Sequence, residues 1–388
     1  MTVTAPQGFR AAGVTAGLKA SGRPDVALVV NDGPLDAVAA VYTSNRCKAH
    51  PVLWSERASA DGHARAVLLN SGGANCFTGP EGFQTTHASA ELVGELLGCG
   101  AADVLVCSTG LIGLPLDREK IGAGVRDAAA ALAVEGGAAA ATAIMTTDTV
   151  SKQALAGGEG VDGGRFTLAG MAKGAGMLAP GLATMLVVLT TDAVVEADEL
   201  DTALRAATRV TFDRLDSDGC MSTNDTVILM ASGASGVRPA PGALAETLTA
   251  VCAELARMLV GDAEGADHDI AVEVVGAASE DDAVAVGRSV ARNNLFKAAV
   301  FGKDPNWGRV LAAVGTTAAS FDPDRLDVSL NGVMVCRSGA PGDDASLVDL
   351  APREVRVLVD LKAGPHTATV WTNDLTHAYV HENSAYSS

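Results

Sequence analysis

Short unbroken apolar runs alternate with polar, glycine-rich turns in the first part of the chain. Residues 26–30 (Val-Ala-Leu-Val-Val) are predicted as a buried strand, as are 37–43 and 66–70. Asn31-Asp-Gly33 and Ser71-Gly-Gly73 supply turn chemistry after two of them. Residues 104–107 (Val-Leu-Val-Cys) form another buried strand that runs into Ser108-Thr-Gly110. Elsewhere a helical period takes over. Leu92, Leu96 and Leu97 place a helix over 86–97, and the Ala-rich residues 125–141 predict a second, interrupted near Gly136-Gly137. Leu200, Leu204 and Ala207 share one face of a helix over 198–210. Leu244, Leu248, Val251, Leu255 and Met258 form the apolar stripe of a longer helix over 242–260. A strand at 271–275 precedes a helix that Ser279 caps, with Glu280, Asp281 and Asp282 in its first turn. Strands close the chain at 354–361 and 366–372. The pattern is α/β or α+β, with no solenoid repeat and no clear linker. Residues 157–164 are its most loop-like segment.

Composition narrows the class. Of 388 residues, 48% are hydrophobic and 19% charged, which supplies a core and argues against disorder. The length allows two or three domains. Twenty-eight basic residues against 46 acidic ones give a net charge of −18. That balance disfavours nucleic acid, because phosphate contacts need clustered Lys and Arg. No apolar run reaches the roughly 18 residues of a membrane span, and no secretory leader is recognisable, so a cytoplasmic location is expected. The seven cysteines include no CxxC pair, which removes disulfide-framework and zinc-ribbon readings. Cys107 and Cys252, each preceded by Val, are expected in the core.

Several motifs carry little. Gly158-Glu-Gly160-Val-Asp-Gly163 fits GxGxxG, but a strand follows it where the dinucleotide fingerprint needs a helix. Asp216-Ser-Asp218-Gly219 hints at a calcium loop yet lacks its first ligand and its closing Glu, so a structural turn is expected. His377 and His381 have HxxxH spacing without the catalytic Glu, in a stretch that reads as strand and tail. No metal site is expected, and no GxSxG elbow is present.

One segment differs. Residues 171–184 (Met-Ala-Lys-Gly-Ala-Gly-Met-Leu-Ala-Pro-Gly-Leu-Ala-Thr) form an irregular Gly/Pro-rich approach to the apolar strand 185–189. A threonine at that entry suits a self-cleaving nucleophile. Cutting the Ala183–Thr184 bond frees an α-amine on Thr184, which titrates near neutrality and serves as base for its own hydroxyl.

Residues 173–186, with Thr190-Thr-Asp192, closely resemble the self-processing ornithine acetyltransferases, or glutamate N-acetyltransferases, of arginine biosynthesis. Further segments of that family stand in order: Thr43-Ser-Asn-Arg46, Asn70-Ser-Gly72, Cys107-Ser-Thr-Gly-Leu-Ile-Gly113 and Ile144-Met-Thr-Thr-Asp-Thr149. Ser217-Asp-Gly-Cys-Met-Ser-Thr-Asn-Asp-Thr226, Asp304-Pro-Asn-Trp-Gly-Arg309 and Glu382-Asn-Ser-Ala-Tyr386 complete the series. The resemblance spans residues 8–388.

The resemblance implies a fold of layered sheets covered by helices with a smaller C-terminal α/β domain. It implies autocleavage into an α-chain, 1–183, and a β-chain, 184–388, assembled as a heterotetramer of two of each. Thr184 would be the nucleophile, with Thr109 and Gly110 as the oxyanion hole. Thr147, Lys173 and Glu264 would line the substrate site, with Asn383 and Ser388 closing on the substrate. The implied reaction moves acetyl from N-acetylornithine to glutamate through acetyl-Thr184, without a cofactor. It leaves open whether acetyl-CoA also serves as donor. Two positions depart from the usual family pattern: Gly73, where Asn is common, and Asp267-His268, where some members carry Lys. The rivals are an N-terminal-nucleophile amidohydrolase or aminopeptidase in which water replaces glutamate, a paralogue of specialised metabolism, and a non-catalytic glycine-rich binding protein.

Overall fold

The apolar runs at 26–30, 66–70 and 104–107 lack polar alternation because their strands are buried on both faces. A computed structural model describes residues 2–179 and 185–385. It divides into two compact units, one of residues 1–175, 181–213 and 221–259, the other of 176–180, 214–220 and 260–388.

The first unit contains two sheets. A four-stranded sheet has the order Phe9–Val14, Val26–Asn31, Ala66–Ser71, Val104–Thr109, with the last two strands parallel. A five-stranded sheet has the order Ala37–Tyr42, Thr226–Ala231, Leu186–Thr191, Arg165–Lys173, Lys152–Glu159. Val29, Leu69 and Leu105 of the first sheet share a core with Met171, Val188 and Ile228 of the second. The other face of the four-stranded sheet packs Leu28, Leu68 and Val106 on Val93 of the Gly79–Leu97 helix and Val125 of the Arg118–Ala130 helix. Burying each such side chain contributes about 1.5–3 kcal/mol. On the five-stranded sheet, a Cβ at Gly170 would lie 2.5 Å from Leu189 and 3.1 Å from Leu255. Gly170 therefore lets the Ala243–Gly261 helix seat closely. The layers run helices, sheet, sheet, helices, which agrees with the expected fold.

The second unit is smaller. Its six-stranded sheet has the order Ala340–Pro341, Val333–Arg337, Asp327–Leu330, Glu354–Asp360, Asp269–Ala277, His366–Asn373. Val355, Val357 and Val359 alternate inward and pack with Val286, Phe296 and Val310 from three helices. This is the expected C-terminal α/β part, enlarged by 176–180 and 214–220.

Four differences from the sequence pattern have local causes. The helix predicted from residue 86 begins at Gly79, where Pro80 suits the first turn. The Ala-rich stretch becomes two helices, Arg118–Ala130 and Gly137–Ala143. Between them Ala133 exchanges backbone hydrogen bonds with Ala11, and a Cβ at Gly136 would fall 1.8 Å from Ala11 O. Residues 157–164 are not a free loop but the end and turn of a hairpin, with Gly158 beneath the Phe166 ring. The GxGxxG match is thus strand–turn–strand. Finally, His377–Ala385 is a helix where strand and tail were expected. The Thr376 hydroxyl accepts the Tyr379 N–H at 2.9 Å and starts it.

Among the described residues no group of His, Cys, Asp or Glu is arranged to hold a metal ion, and no helix is long and apolar enough to cross a membrane. All seven cysteines are free, with Cys107 and Cys252 buried as expected.

Candidate active site

Ser71 and Thr109 are paired ends of two parallel strands. Beyond them the chain turns at Gly72 and Gly110, with φ of +132° and +133°. The N–H groups of Gly72 and Gly73 both donate to Thr109 O at 3.0 Å. A Cβ on Gly110 would lie 2.5 Å from Gly73 N, so only glycine fits this turn. Asn224 ties the two turns together, its Nδ2 donating to Ala74 O at 2.7 Å and Ser108 O at 2.8 Å. Thr109 is held buried.

Lys173 ends its strand opposite Leu186 and is also buried. Its Nζ donates to Thr109 Oγ1 at 3.3 Å. A buried ammonium group requires compensation by nearby negative charge. Asp148 supplies it, with Oδ1 accepting Lys152 Nζ at 2.6 Å and Gly174 N–H at 2.7 Å, and Oδ2 accepting Thr146 N–H at 2.9 Å. Burial pushes the Asp148 carboxyl up. The ammonium groups of Lys173 and Lys152 and these hydrogen bonds outweigh it and hold the group at about 2. Thr147 lies in the same turn, partly buried. Lys19 joins the cluster by donating to Met145 O at 2.6 Å and Pro24 O at 2.8 Å. Burial pulls its ammonium group down.

In the second unit, Glu264 Oε2 accepts Asn383 Nδ2 at 3.1 Å. A Cβ on Gly176 would lie 2.5 Å from the Glu264 carboxylate. Asp218 anchors the neighbouring turn by accepting Met177 N–H at 2.7 Å and Cys220 N–H at 3.0 Å. Asp216 pairs with Arg292 at 2.7 Å, which bears out the structural reading of 216–219. Buried His268 places Nδ1 2.7 Å from Asp374 Oδ2 and Nε2 3.0 Å from Leu350 O. This departure from the family pattern is a structural pin within the unit. The other departure, Gly73, faces Leu116, whose side chain would lie 2.7 Å from a Cβ there.

The structure therefore brings Thr109 to Lys173, with Asp148 and Thr147 alongside, and separately brings Glu264 to Asn383. Ala183, Thr184 and Ser388 lie outside the described residues. Sequence reasoning missed Asp148, Lys152 and Asn224, and also Asp225, a buried carboxylate whose Oδ1 accepts the Met185 N–H at 3.1 Å. Their signal was present: Asp148 and Asp225 are acidic residues inside otherwise apolar or hydroxylated runs, where a carboxylate must find partners.

The chain belongs to the ArgJ family, which it matches over residues 10–388. It is 62% identical over 388 residues to the arginine biosynthesis bifunctional protein ArgJ of Streptomyces coelicolor, covering 100% of both chains. The protein of the same name from Mycobacterium leprae is 56% identical over 393 residues, covering 100% of this chain and 96% of that one. Among solved structures, the ornithine acetyltransferase of Mycobacterium tuberculosis complexed with ornithine is 49% identical. It covers 48% of this chain and 96% of its own, with a TM-score of 0.43.

Proposed function

We propose that the chain cuts itself before Thr184 and then carries acetyl on that residue from N-acetylornithine to glutamate. Family membership makes the chain an acetyltransferase of arginine biosynthesis and does not favour the hydrolase alternative. The residue roles rest on one observation above all, the hydrogen bond from Lys173 to the Thr109 hydroxyl.

In cleavage, Thr184 Oγ bonds to the Ala183 carbonyl carbon and the C–N bond of that peptide breaks. The hydroxyl proton passes to the departing nitrogen. Water then hydrolyses the ester, freeing the Ala183 carboxylate and restoring the hydroxyl. The products are residues 1–183 and 184–388.

In transfer, the new α-amine takes the Thr184 hydroxyl proton as Oγ attacks the acetyl carbonyl. Ornithine leaves with that proton; glutamate's α-amine then attacks the acetyl carbon, the Oγ–C bond of the ester breaks, a proton from that amine returns to Thr184 Oγ, and N-acetylglutamate leaves. Charge develops on the acetyl oxygen in both halves, where Thr109 and the Gly110 N–H act as donors. Because Lys173 donates to Thr109 Oγ1, the hydroxyl's own hydrogen is left to point at the oxyanion, and the ammonium group makes it a stronger donor. Thr147 and Lys173 receive a substrate carboxylate, while Glu264, steadied by Asn383, receives an ammonium group. Ser388 closes on the substrate from the C-terminus. These steps draw on no metal or organic cofactor. Acetyl-CoA would load the same Thr184. Two copies of each cleaved chain form the working assembly.

Mass spectrometry of the purified protein tests this. The expected result is a cut before Thr184, and a single acetyl group on Thr184 after N-acetylornithine is added. An intact, active chain would overturn the mechanism. Ornithine release that ignores glutamate and yields acetate would favour hydrolysis.

A further inference from the structure

Thr147 lies in a bend after the Gly137–Ala143 helix, and Lys173 ends the Arg165–Lys173 strand. One side chain grips the backbone next to both. Asp148 Oδ2 accepts the N–H of Thr146, the residue before Thr147, at 2.9 Å. Its Oδ1 accepts the N–H of Gly174, the residue after Lys173, at 2.7 Å. The Met145–Thr146 peptide is planar and held at both ends, since Lys19 Nζ donates to Met145 O at 2.6 Å. The carboxylate is itself pinned. Lys152 Nζ donates to Asp148 Oδ1 at 2.6 Å, and both side chains of that ion pair are fully enclosed. Lys152 opens its own strand in register with Ala172, next to Lys173. Burial opposes ionisation of Asp148, but the charges of Lys173 and Lys152 and the Gly174 N–H keep it ionised at neutral pH. Enclosing such a pair costs desolvation that apolar side chains of similar size would not, so its geometry has to matter.

We propose that Asp148, pinned by Lys152, is a positioning residue that sets Thr147 and Lys173 at the spacing that seats a substrate α-carboxylate. This rests on the reading of Thr147 and Lys173 as receivers of that carboxylate. N-acetylornithine and glutamate each carry one, so the two substrates occupy the same seat in turn. Asp148 touches neither substrate and exchanges no proton; it acts through the two residues whose neighbours it holds. Charge alone predicts the opposite sign from positioning. Removing the negative charge of Asp148 leaves the surroundings of Lys173 more positive, which draws a carboxylate in more tightly. Loss of the clamp loosens the seat and weakens binding. In Asp148→Asn the amide oxygen still accepts one N–H, but the amide nitrogen faces the other donor against donor, so one of the two grips is lost.

The test compares steady-state kinetics of the full-length wild type, Asp148→Asn, Lys152→Met and Thr147→Val, with self-cleavage followed by mass spectrometry. In Asp148→Asn, KM for N-acetylornithine and KM for glutamate are expected to rise together, about tenfold or more, as for one lost hydrogen bond to a charged group, while kcat changes less than KM. Lys152→Met unpins the carboxylate and is expected to raise both KM values in the same way, by about threefold or more. Unchanged or lowered KM values in Asp148→Asn overturn the proposal and leave Asp148 a counter-charge to Lys173. A rise for one substrate alone overturns it too, since the seat is then not shared. So does a fall in kcat with both KM values unchanged. Should Asp148→Asn fail to fold by circular dichroism, or fail to cut itself, Lys152→Met decides: a joint rise supports the clamp and unchanged KM values overturn it. Thr147→Val removes a receiving hydroxyl and leaves the clamp in place. Unchanged KM values for both substrates in that variant sink the carboxylate reading itself, whatever the Asp148 variant does.

Discussion

Lys173 donates a hydrogen bond across 3.3 Å to the hydroxyl of Thr109, with both side chains sealed from solvent. The pair couples a fixed positive charge to a hydroxyl whose remaining hydrogen is available to a developing oxyanion. Thr109→Val keeps the shape and removes that donor. Steady-state kinetics should show kcat down about 10²–10³-fold, with KM for N-acetylornithine little changed. A KM effect without a kcat effect would assign Thr109 to ground-state binding.

Asp148 ties stability to pH. Its folded-state value of about 2 lies below the ordinary 3.8, because the charges of Lys173 and Lys152 overcome burial. A lowered carboxyl stabilises the fold above its unfolded value near 4, and that contribution disappears as pH falls through 2. The contribution is roughly 2–3 kcal/mol. Thermal melts between pH 5 and pH 2 should show wild type losing this increment, while Asp148→Asn has already lost it and falls less steeply. Parallel curves for the two proteins would rule out Asp148 as the source.

Gly110→Ala would force a Cβ to within 2.5 Å of Gly73 N at a φ of +133°. The backbone must move, at a cost of about 2 kcal/mol or more. A lowered melting temperature together with lost acetyl transfer is expected. An active variant with unchanged melting would show that the turn relaxes freely.

His268→Ala removes the imidazole that meets Asp374 at 2.7 Å and Leu350 O at 3.0 Å. Asp374 keeps the N–H groups of Asp267 and His268. The expected loss is about 2–4 kcal/mol in urea unfolding, with kcat unchanged at a temperature where the variant is folded. A fall in kcat under those conditions would move His268 from scaffold to chemistry.

The strands around the site were legible because they are buried on both faces and leave unbroken apolar runs, as at 26–30 and 104–107. Thr109 and Lys173 stood out only through motif resemblance. Their meeting depends on two strands of different sheets, and no local spacing encodes that. The 377–385 helix was missed because its start is a single hydroxyl cap at Thr376 and its faces carry no apolar stripe. Asp148 and Asp225 escaped notice for a related reason. Asp148 finds Lys152 and Thr146 close by, but the Gly174 N–H lies 26 residues from it, and the Met185 N–H lies 40 from Asp225.

The strand order of the five-stranded sheet bears on how such a protein can be made. Its two strands from beyond residue 184, Leu186–Thr191 and Thr226–Ala231, are flanked on both sides by strands from before it. In the proposed cut before Thr184, the 184–388 product keeps two adjacent strands, while the strands of the 1–183 product are left apart, Ala37–Tyr42 on one side and Arg165–Lys173 with Lys152–Glu159 on the other. Two pieces synthesised from separate messages would each begin as an incomplete ribbon with bare edges, prone to pairing with the wrong neighbour. Under the proposed self-cleavage, a single translation product weaves the sheet first and gives up one bond afterwards. Once unfolded, pieces severed by the proposed cut carry no covalent record of their match, so such a maturation trades refoldability for a nucleophile.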